Sequence, residues 1–417
     1  MTNSLPPPPP PPPPPAVLEV NAKDRRLALA RARGLLDEHL GRLRRELPAH
    51  GNTKLHADQL VLGLLLAFFD PMARSLRLIE GCGDFAGRLD LPRLARSTTA
   101  DALAAFDPAR LRPLIEDLRA RCPGLARADA DLAGITRRII AADGTYLTTL
   151  ADVAWALHHT KSNGRTQRQV RANVQLDVAD WVPQVVTVSG DDGESEPAAF
   201  ARDLLRGVLY VVDRNFVDFS FMTALLGRDN DLVLRVRANA PGVRVIASNP
   251  LTAADVSAGV VADEQVELTG RGAPSGTFRR VTIVTTDRRG KPETIRLLTN
   301  LTDAAVVPAH VIGSAYRLRW QIELFFKWLK CFARMDHLLS TSRRGITTQL
   351  YVAVIAVLLM HVQTGRRVSI YALAALGRVA GGQMTIGQAM EVIARRERER
   401  ELATIRQARR RARKKLA

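Results

Sequence analysis

The segment YRLRWQIELFFKWLK, between Ala315 and Cys331, carries four side chains whose types and spacing suit phosphate chemistry: Tyr316, Arg319, Glu323 and Lys330. On a continuous helix at about 100° per residue they fall in a stripe roughly 60° wide. Leu318, Ile322, Phe325 and Leu329 form a second stripe that can pack. A carboxylate flanked by a phenol, a guanidinium and an ammonium suits a surface that grips phosphates while placing one acidic metal ligand. Arg319 and Glu323, four residues apart, also have the spacing of an ordinary exposed ion pair. Two more carboxylates lie upstream. TRRIIAADGTYL places Asp143 after alternating Ile139 and Ala141 and before a Gly-Thr turn, which reads as the end of a buried strand. RGVLYVVDRNF closes an apolar run, Val208 to Val212, with Asp213, as a strand buried on both faces would end. An aspartate after an apolar strand is commonly a turn or a cap. Two of them in order ahead of the Tyr-Arg-Glu-Lys helix make a joint signal.

That four-position pattern resembles the YREK signature of a large family of bacterial insertion-sequence transposases, the insertion sequence four family. Asp143, Asp213 and Glu323 resemble, in order and local context, the acidic triad of DDE-type transposases. The resemblance covers about residues 57–360 and is strongest at the three acidic motifs. It implies that Asp143, Asp213 and Glu323 are catalytic and hold Mg²⁺, with Mn²⁺ as a substitute, and that Tyr316, Arg319 and Lys330 position the DNA backbone near the cut. The chemistry is consistent: in-line displacement at phosphorus is eased by two divalent cations about 4 Å apart, and carboxylates are the hard oxygen ligands Mg²⁺ prefers. Three converging carboxylates without a cation would raise one another's pKa. The implied partners are double-stranded DNA, both element ends and target, and a second copy of the chain in a homodimer on DNA. Two departures stand out. The second aspartate is followed by Arg-Asn-Phe where relatives often have Gly after the Arg, and the segment in which some relatives use a tryptophan to hold a flipped base has none here. Trp320, beside Arg319, is the remaining aromatic candidate for DNA stacking, with core packing as its alternative.

These residues need a sheet to bring them together. TQRQVRANVQLDV alternates at Val170, Ala172, Val174 and Leu176, and WVPQVVTVSG follows as an antiparallel neighbour. Pro197 to Arg206 and Val217 to Gly227 read as helices around the Asp213 strand, and DLVLRVR as a further strand. Three strands, helix, strand, helix, strand is the order that the family resemblance names ribonuclease-H-like. Seventy residues separate the aspartates (213 − 143) and 110 separate Asp213 from Glu323 (323 − 213), so something is inserted before the catalytic helix. VRVIA, QVELTG, FRRVTIVTT and ETIRLLT within it read as short strands.

The expected class is α/β: a ribonuclease-H-like mixed sheet with flanking helices, a β-rich insertion before the catalytic helix, and an α-helical N-terminal domain. The expected boundaries are 1–16 for a polyproline tail containing Pro6 to Pro15, 17–130 for a helical DNA-binding region, 131–240 with 301–365 for the catalytic domain, 241–300 for the insertion, and 366–417 for a basic helical C-terminal region. Glu391 to Ala417 holds eleven basic and four acidic residues, a net +7 (11 − 4). A solvated helix is its ordinary identity, with DNA contact or subunit pairing as the second.

Composition is consistent with this. A formal charge of +18 over 417 residues points to a polyanionic partner. Cys82, Cys122 and Cys331 are isolated, which fits a reducing cytoplasm and no cysteine metal site. The pair His158 and His159 has no evident third ligand. No charged-plus-apolar signal segment opens the chain, and LYVAVIAVLLMHV reads as a buried helix, too short an apolar run to span a bilayer. The expectation is therefore a cytoplasmic, nucleoid-associated transposase with no membrane partner. Its alternatives are a catalytically inactive, transposase-derived DNA-binding regulator and a structure-selective DNA nuclease.

Overall fold

The computed structural model describes residues 36–47, 53–69, 75–81, 94–122, 132, 134–149, 153, 155–160, 166–190, 193–239, 241–286, 290–331, 335, 337–364, 375 and 384–416. The proline run Pro6 to Pro15 lies outside them. At its centre is a ten-stranded mixed sheet, ordered β2-β3-β1-β5-β6-β10-β9-β8-β7, with β4 paired to β3. The strands are β1 (Ile139–Thr148), β2 (Leu157–Thr160), β3 (Thr166–Asp177), β4 (Val182–Ser189), β5 (Leu209–Val212), β6 (Asp231–Val236), β7 (Gly242–Ser248), β8 (Val260–Thr269), β9 (Thr277–Thr286) and β10 (Pro292–Thr299). The four segments read as strands between 241 and 300 are β7 to β10. They continue the main sheet, because β10 pairs with β6.

Strand β5 is fully buried, as a central parallel strand covered on both faces must be. Leu209 and Val211 join one core and Tyr210 and Val212 the other. The second core is closed by α4 (Glu196–Ala201) and α5 (Phe219–Leu226). The first is closed by α7 (Ala309–Arg317), α8 (Trp320–Cys331), α9 (Arg343–Thr364) and N-terminal helices α1 (Ala57–Phe69), α2 (Arg96–Ala105) and α3 (Arg112–Arg121). Two helical layers sandwich one sheet, the arrangement that lets a two-sided apolar sheet bury both faces. The apolar run Leu350 to Met360 lies within the 22-residue helix α9. Its stretch Arg343–Val362 is long and apolar enough to cross a membrane, but 83% of its most apolar window is buried inside the fold. Its principal partners are α1, α2, α3 and β4, so it fastens the N-terminal helices to the sheet.

The inserted strands grip the helix that leads to the site. Arg279 is fully buried and donates from Nε and NH2 to the two oxygens of Asp263, each at 2.6 Å, and from NH1 to the Val307 carbonyl at 2.6 Å. Helix α6 (Ala253–Ser257) carries a capping box between Thr252 and Asp255. Asp255 also accepts from the His310 backbone N–H at 2.8 Å. Val307 and His310 flank the start of α7, so two polar clasps fix its entry.

Two local readings need correction. The stretch from Tyr316 to Lys330 is not one helix: α7 ends at Arg317 and α8 begins at Trp320. Between them the backbone tightens to three-residue spacing, with Leu318, Arg319, Gln321 and Ile322 donating to the carbonyls of Ala315, Tyr316, Leu318 and Arg319. Arg319, inside this turn, pairs with Asp143 and Glu323. Nor does β1 end at Asp143. It pairs with β3 as far as Thr148, while its pairing with β5 on the other side stops at Ala141. Asp143 sits where the sheet loses one neighbour, and Gly144-Thr145 is strand.

Candidate active site

The positions of Asp143 and Asp213 follow from strand register. In the parallel β1–β5 pair, Ile139 lies opposite Leu209 and Ala141 opposite Val211, an offset of 70 (209 − 139) that carries forward to Asp143 opposite Asp213. Neighbouring strands lie about 4.8 Å apart, so both aspartates stand side by side just past the last paired residues. Asp213 caps the 3₁₀ turn Arg214–Phe216, and its Oδ1 accepts from the Asn215 N–H at 2.8 Å. Asp143 Oδ1 accepts from the Gly144 N–H at 2.8 Å.

Glu323 arrives on α8, whose apolar face is docked through aromatic rings. Ile322, Phe325 and Leu329 are buried as the second stripe required. Phe325 meets Trp181 edge-on at 5.3 Å and stacks with Trp328 at 5.9 Å, and Trp328 also contacts Phe68 at 6.0 Å. Trp181, in the β3–β4 turn, holds a left-handed backbone (φ 59°) that is strained for an aromatic residue.

Arg319 joins the two halves. Its NH1 donates to Asp143 Oδ2 at 3.2 Å and its NH2 hydrogen-bonds Glu323 Oε1. Its guanidinium carbon lies 5.9 Å from the centre of the Tyr316 ring. Tyr316 is buried, so in this arrangement it supports Arg319 from inside the fold. Trp320 is 45% exposed at the start of α8, and Lys330 is half-buried near its end.

The electrostatics are unbalanced. Burial, then Asp213 and Glu196, push the Asp143 carboxyl up to about 7 against the pull of Arg319 and the Gly144 N–H. Glu196 is raised as well, by burial and by Asp213, with Arg171 opposing. Glu196 was not foreseen. Its sequence, GESEP, signals only a capped helix start, and the contact that matters joins it to Gly144, 52 residues earlier (196 − 144). A Cβ on Gly144 would lie 2.3 Å from Glu196 Oε1.

The donor set suits a hard divalent cation: several carboxylates, two of them held against their preference for charge by burial and mutual repulsion. The side-chain arrangement, however, is that of a guanidinium-bridged centre. Among the described residues, no three His, Cys, Asp or Glu side chains already converge as a metal site. Arg319 stands between Asp143 and Glu323, where cationic charge is wanted.

Comparison with known proteins adds the family context. Residues 134–359 match the model of the transposase DDE domain, an interval that contains all three acids. Over 267 residues the chain is 28% identical to the Sinorhizobium fredii protein y4zB, named as a transposase, covering 60% of this chain and 70% of that one. Over 216 residues it is 27% identical to the Geobacillus stearothermophilus protein named as transposase for the insertion sequence element IS5377, covering 50% of this chain and 51% of that one. Among solved structures it is similar to a piggyBac transposase synaptic complex with hairpin DNA, at a TM-score of 0.41 and 10% identity over 90% of this chain and 80% of that one. That likeness is too loose to carry an argument.

Proposed function

We propose that this chain, which belongs to the transposase DDE domain family, binds the terminal inverted repeats of a mobile element and catalyses divalent-metal-dependent DNA strand cleavage and strand transfer. The observation that carries the proposal is the meeting of Asp143 and Asp213 on adjacent strands, with Glu323 linked to Asp143 through Arg319. The finer assignment is to the insertion sequence four family with its YREK signature and a ribonuclease-H-like core. The match to a transposase DDE model and the four-position spacing support it.

Asp143, Asp213 and Glu323 would hold Mg²⁺, with Mn²⁺ as a substitute. Two ions bound there would polarise the scissile phosphate and activate first water and then a 3′-hydroxyl. The chain's own residues do the rest. Asp143, Asp213 and Glu196 together supply the negative charge that recruits cations. Arg319 neutralises Asp143 and Glu323 in this arrangement, and its planar fork would suit a phosphate in two-point contact. Tyr316 fixes where that fork starts. Lys330, farther along α8, adds positive charge for the DNA backbone, and Trp320, exposed at the turn, offers a stacking face. Action on two DNA ends calls for two copies of the chain, and the net charge of +18 suits the polyanion.

The test is incubation of the purified chain with a labelled inverted-repeat end, a target plasmid and Mg²⁺ or Mn²⁺. Joined products support the proposal. Cuts without joining would favour a nuclease, and binding alone a regulator. Asp213→Asn is expected to abolish joining while leaving DNA binding in place. Full joining by that variant would remove Asp213 from the site.

A further inference from the structure

We propose that Glu196 is a fourth carboxylate of the same centre, supplying an oxygen ligand to the cations held by Asp143 and Asp213. The inference rests on the reading of that centre as a cation site.

The centre lies where both faces of the sheet can reach it. Paired residues on neighbouring strands point to the same side, so Asp143 shares the face of Val174 and Gly144 the face of Asn173. Val174 lies in the core closed by α8, which brings Glu323. Glu196 comes from the opposite layer, on α4. The side chain of Ser195 caps α4 by accepting from the Ala198 N–H, and Pro197 follows Glu196 at the start of the helix.

A sheet normally separates what lies on its two faces, but here it is open. Beyond Ala141 and Val211 the β1–β5 pairing has ended, and the next residue after Asp143 has no side chain. A Cβ on Gly144 would meet Glu196 Oε1 at 2.3 Å and Arg171 Cδ at 2.9 Å. The missing side chain is thus the space that the Glu196 carboxylate occupies, one residue from Asp143. Its charge acts on Asp143, and the charge of Asp213 acts on it.

A purely structural glutamate in this setting would close an ion pair with Arg171. Arg171 instead donates from Nε to Asn173 Oδ1 at 2.9 Å and from NH2 toward the Ser195 carbonyl at 3.5 Å. Asn173 in turn donates to Ser189 Oγ at 2.7 Å. The guanidinium is anchored in a buried polar row and lies beside the glutamate without saturating it. The Gly144 N–H also reaches the Glu196 carboxylate, but one N–H leaves it lone pairs for another cation, on the side away from Glu323. A centre that must hold two ions gains from ligands arriving at both faces.

The experiment is calorimetric titration of Mn²⁺ into the full chain, with thermal melts in chelator as the folding control. The wild-type chain is expected to take up Mn²⁺ and Asp213→Asn to lose uptake. Glu196→Gln, which keeps shape and removes charge, should bind at least about tenfold more weakly with an undiminished melting temperature in chelator. Glu196→Asp, which keeps the charge but draws the oxygens back, should weaken binding less. Unchanged Mn²⁺ affinity in Glu196→Gln, with binding lost in Asp213→Asn, overturns the role of Glu196 and leaves the centre standing. No Mn²⁺ uptake by the wild-type chain overturns both.

Discussion

Arg279 with Asp263 and Arg319 with Asp143 are the same pair of residue types, each with its aspartate on the one sheet, yet their surroundings make them opposites. Arg279 and Asp263 are almost wholly buried, bonded in parallel at 2.6 Å, and the remaining guanidinium nitrogen donates to the Val307 carbonyl. Every strong group has a partner. Asp143 has one bond to Arg319 at 3.2 Å, shares that cation with Glu323, and faces Asp213 and Glu196 besides. A saturated pair serves as a clasp. An unsaturated one is a place where charge can be exchanged, and the difference lies in the count of neighbouring acids rather than in the pair itself.

The largest effect should come from breaking the clasp. Arg279→Met leaves a buried carboxylate without its cation and is expected to cost about 3–5 kcal/mol of stability, read as a fall in denaturation midpoint. Arg279→Met with Asp263→Leu should recover most of that loss, since replacing both charges removes the orphan. If the double variant is as unstable as the single one, the clasp acts through packing and the contrast with Arg319 weakens.

At the centre the same logic reverses the sign. The folded pKa of Asp143, about 7, stands above an unfolded value near 3.9. Between those values the folded chain binds the extra proton, so this carboxyl lowers stability progressively as pH rises from about 4 to about 7. Asp143→Asn is therefore expected to stabilise the metal-free chain at pH 8 by on the order of 1–3 kcal/mol, with the gain fading as pH falls below about 7 and gone below about pH 4. Asp263→Asn should destabilise at the same pH. Paired melts across pH would decide it, and a metal-free Asp143→Asn chain less stable than wild type at pH 8 would contradict the picture of a strained acid cluster. Such a trade between stability and a working site is common.

How much of this the sequence disclosed depends on the range over which each signal acts. The succession of β3, β4, β5 and β6 along the chain was legible because they write their burial into apolar runs and period-two alternation. β2, reading LHHT, is too short and polar to announce itself. The packing stripe Ile322, Phe325 and Leu329 was legible for the same reason. The break at Leu318–Arg319 was not, since neither Gly nor Pro marks it and the Asp143 that Arg319 reaches there is 176 residues away. Glu196 was illegible altogether. Its role depends on a missing side chain at Gly144 and on where β1 parts from β5, and both are facts of three dimensions.

Asp255 offers the smallest test, and it falls between the two pairs. Burial pushes its carboxyl up, but hydrogen bonds from the Thr252 hydroxyl and backbone and from His310 outweigh it and hold it well below the usual carboxylate range. Those bonds run from Thr252 N at 2.9 Å, Thr252 Oγ1 at 2.7 Å and His310 N at 2.8 Å, with His310 Nδ1 also at 2.8 Å. Because the folded value lies below the unfolded one, the stabilisation is complete above about pH 4 and is lost as pH falls further. Asp255→Asn should cost about 1–2 kcal/mol at pH 7, the size of a lost helix cap, and should flatten the acid limb of the stability curve. Like Asp263 it should destabilise when neutralised, and unlike Asp143 it should do so without altering Mn²⁺ uptake. A metal affinity that moved with Asp255 would mean that the clasp on α7 sets the position of Glu323, and the two regions would then be one mechanical unit.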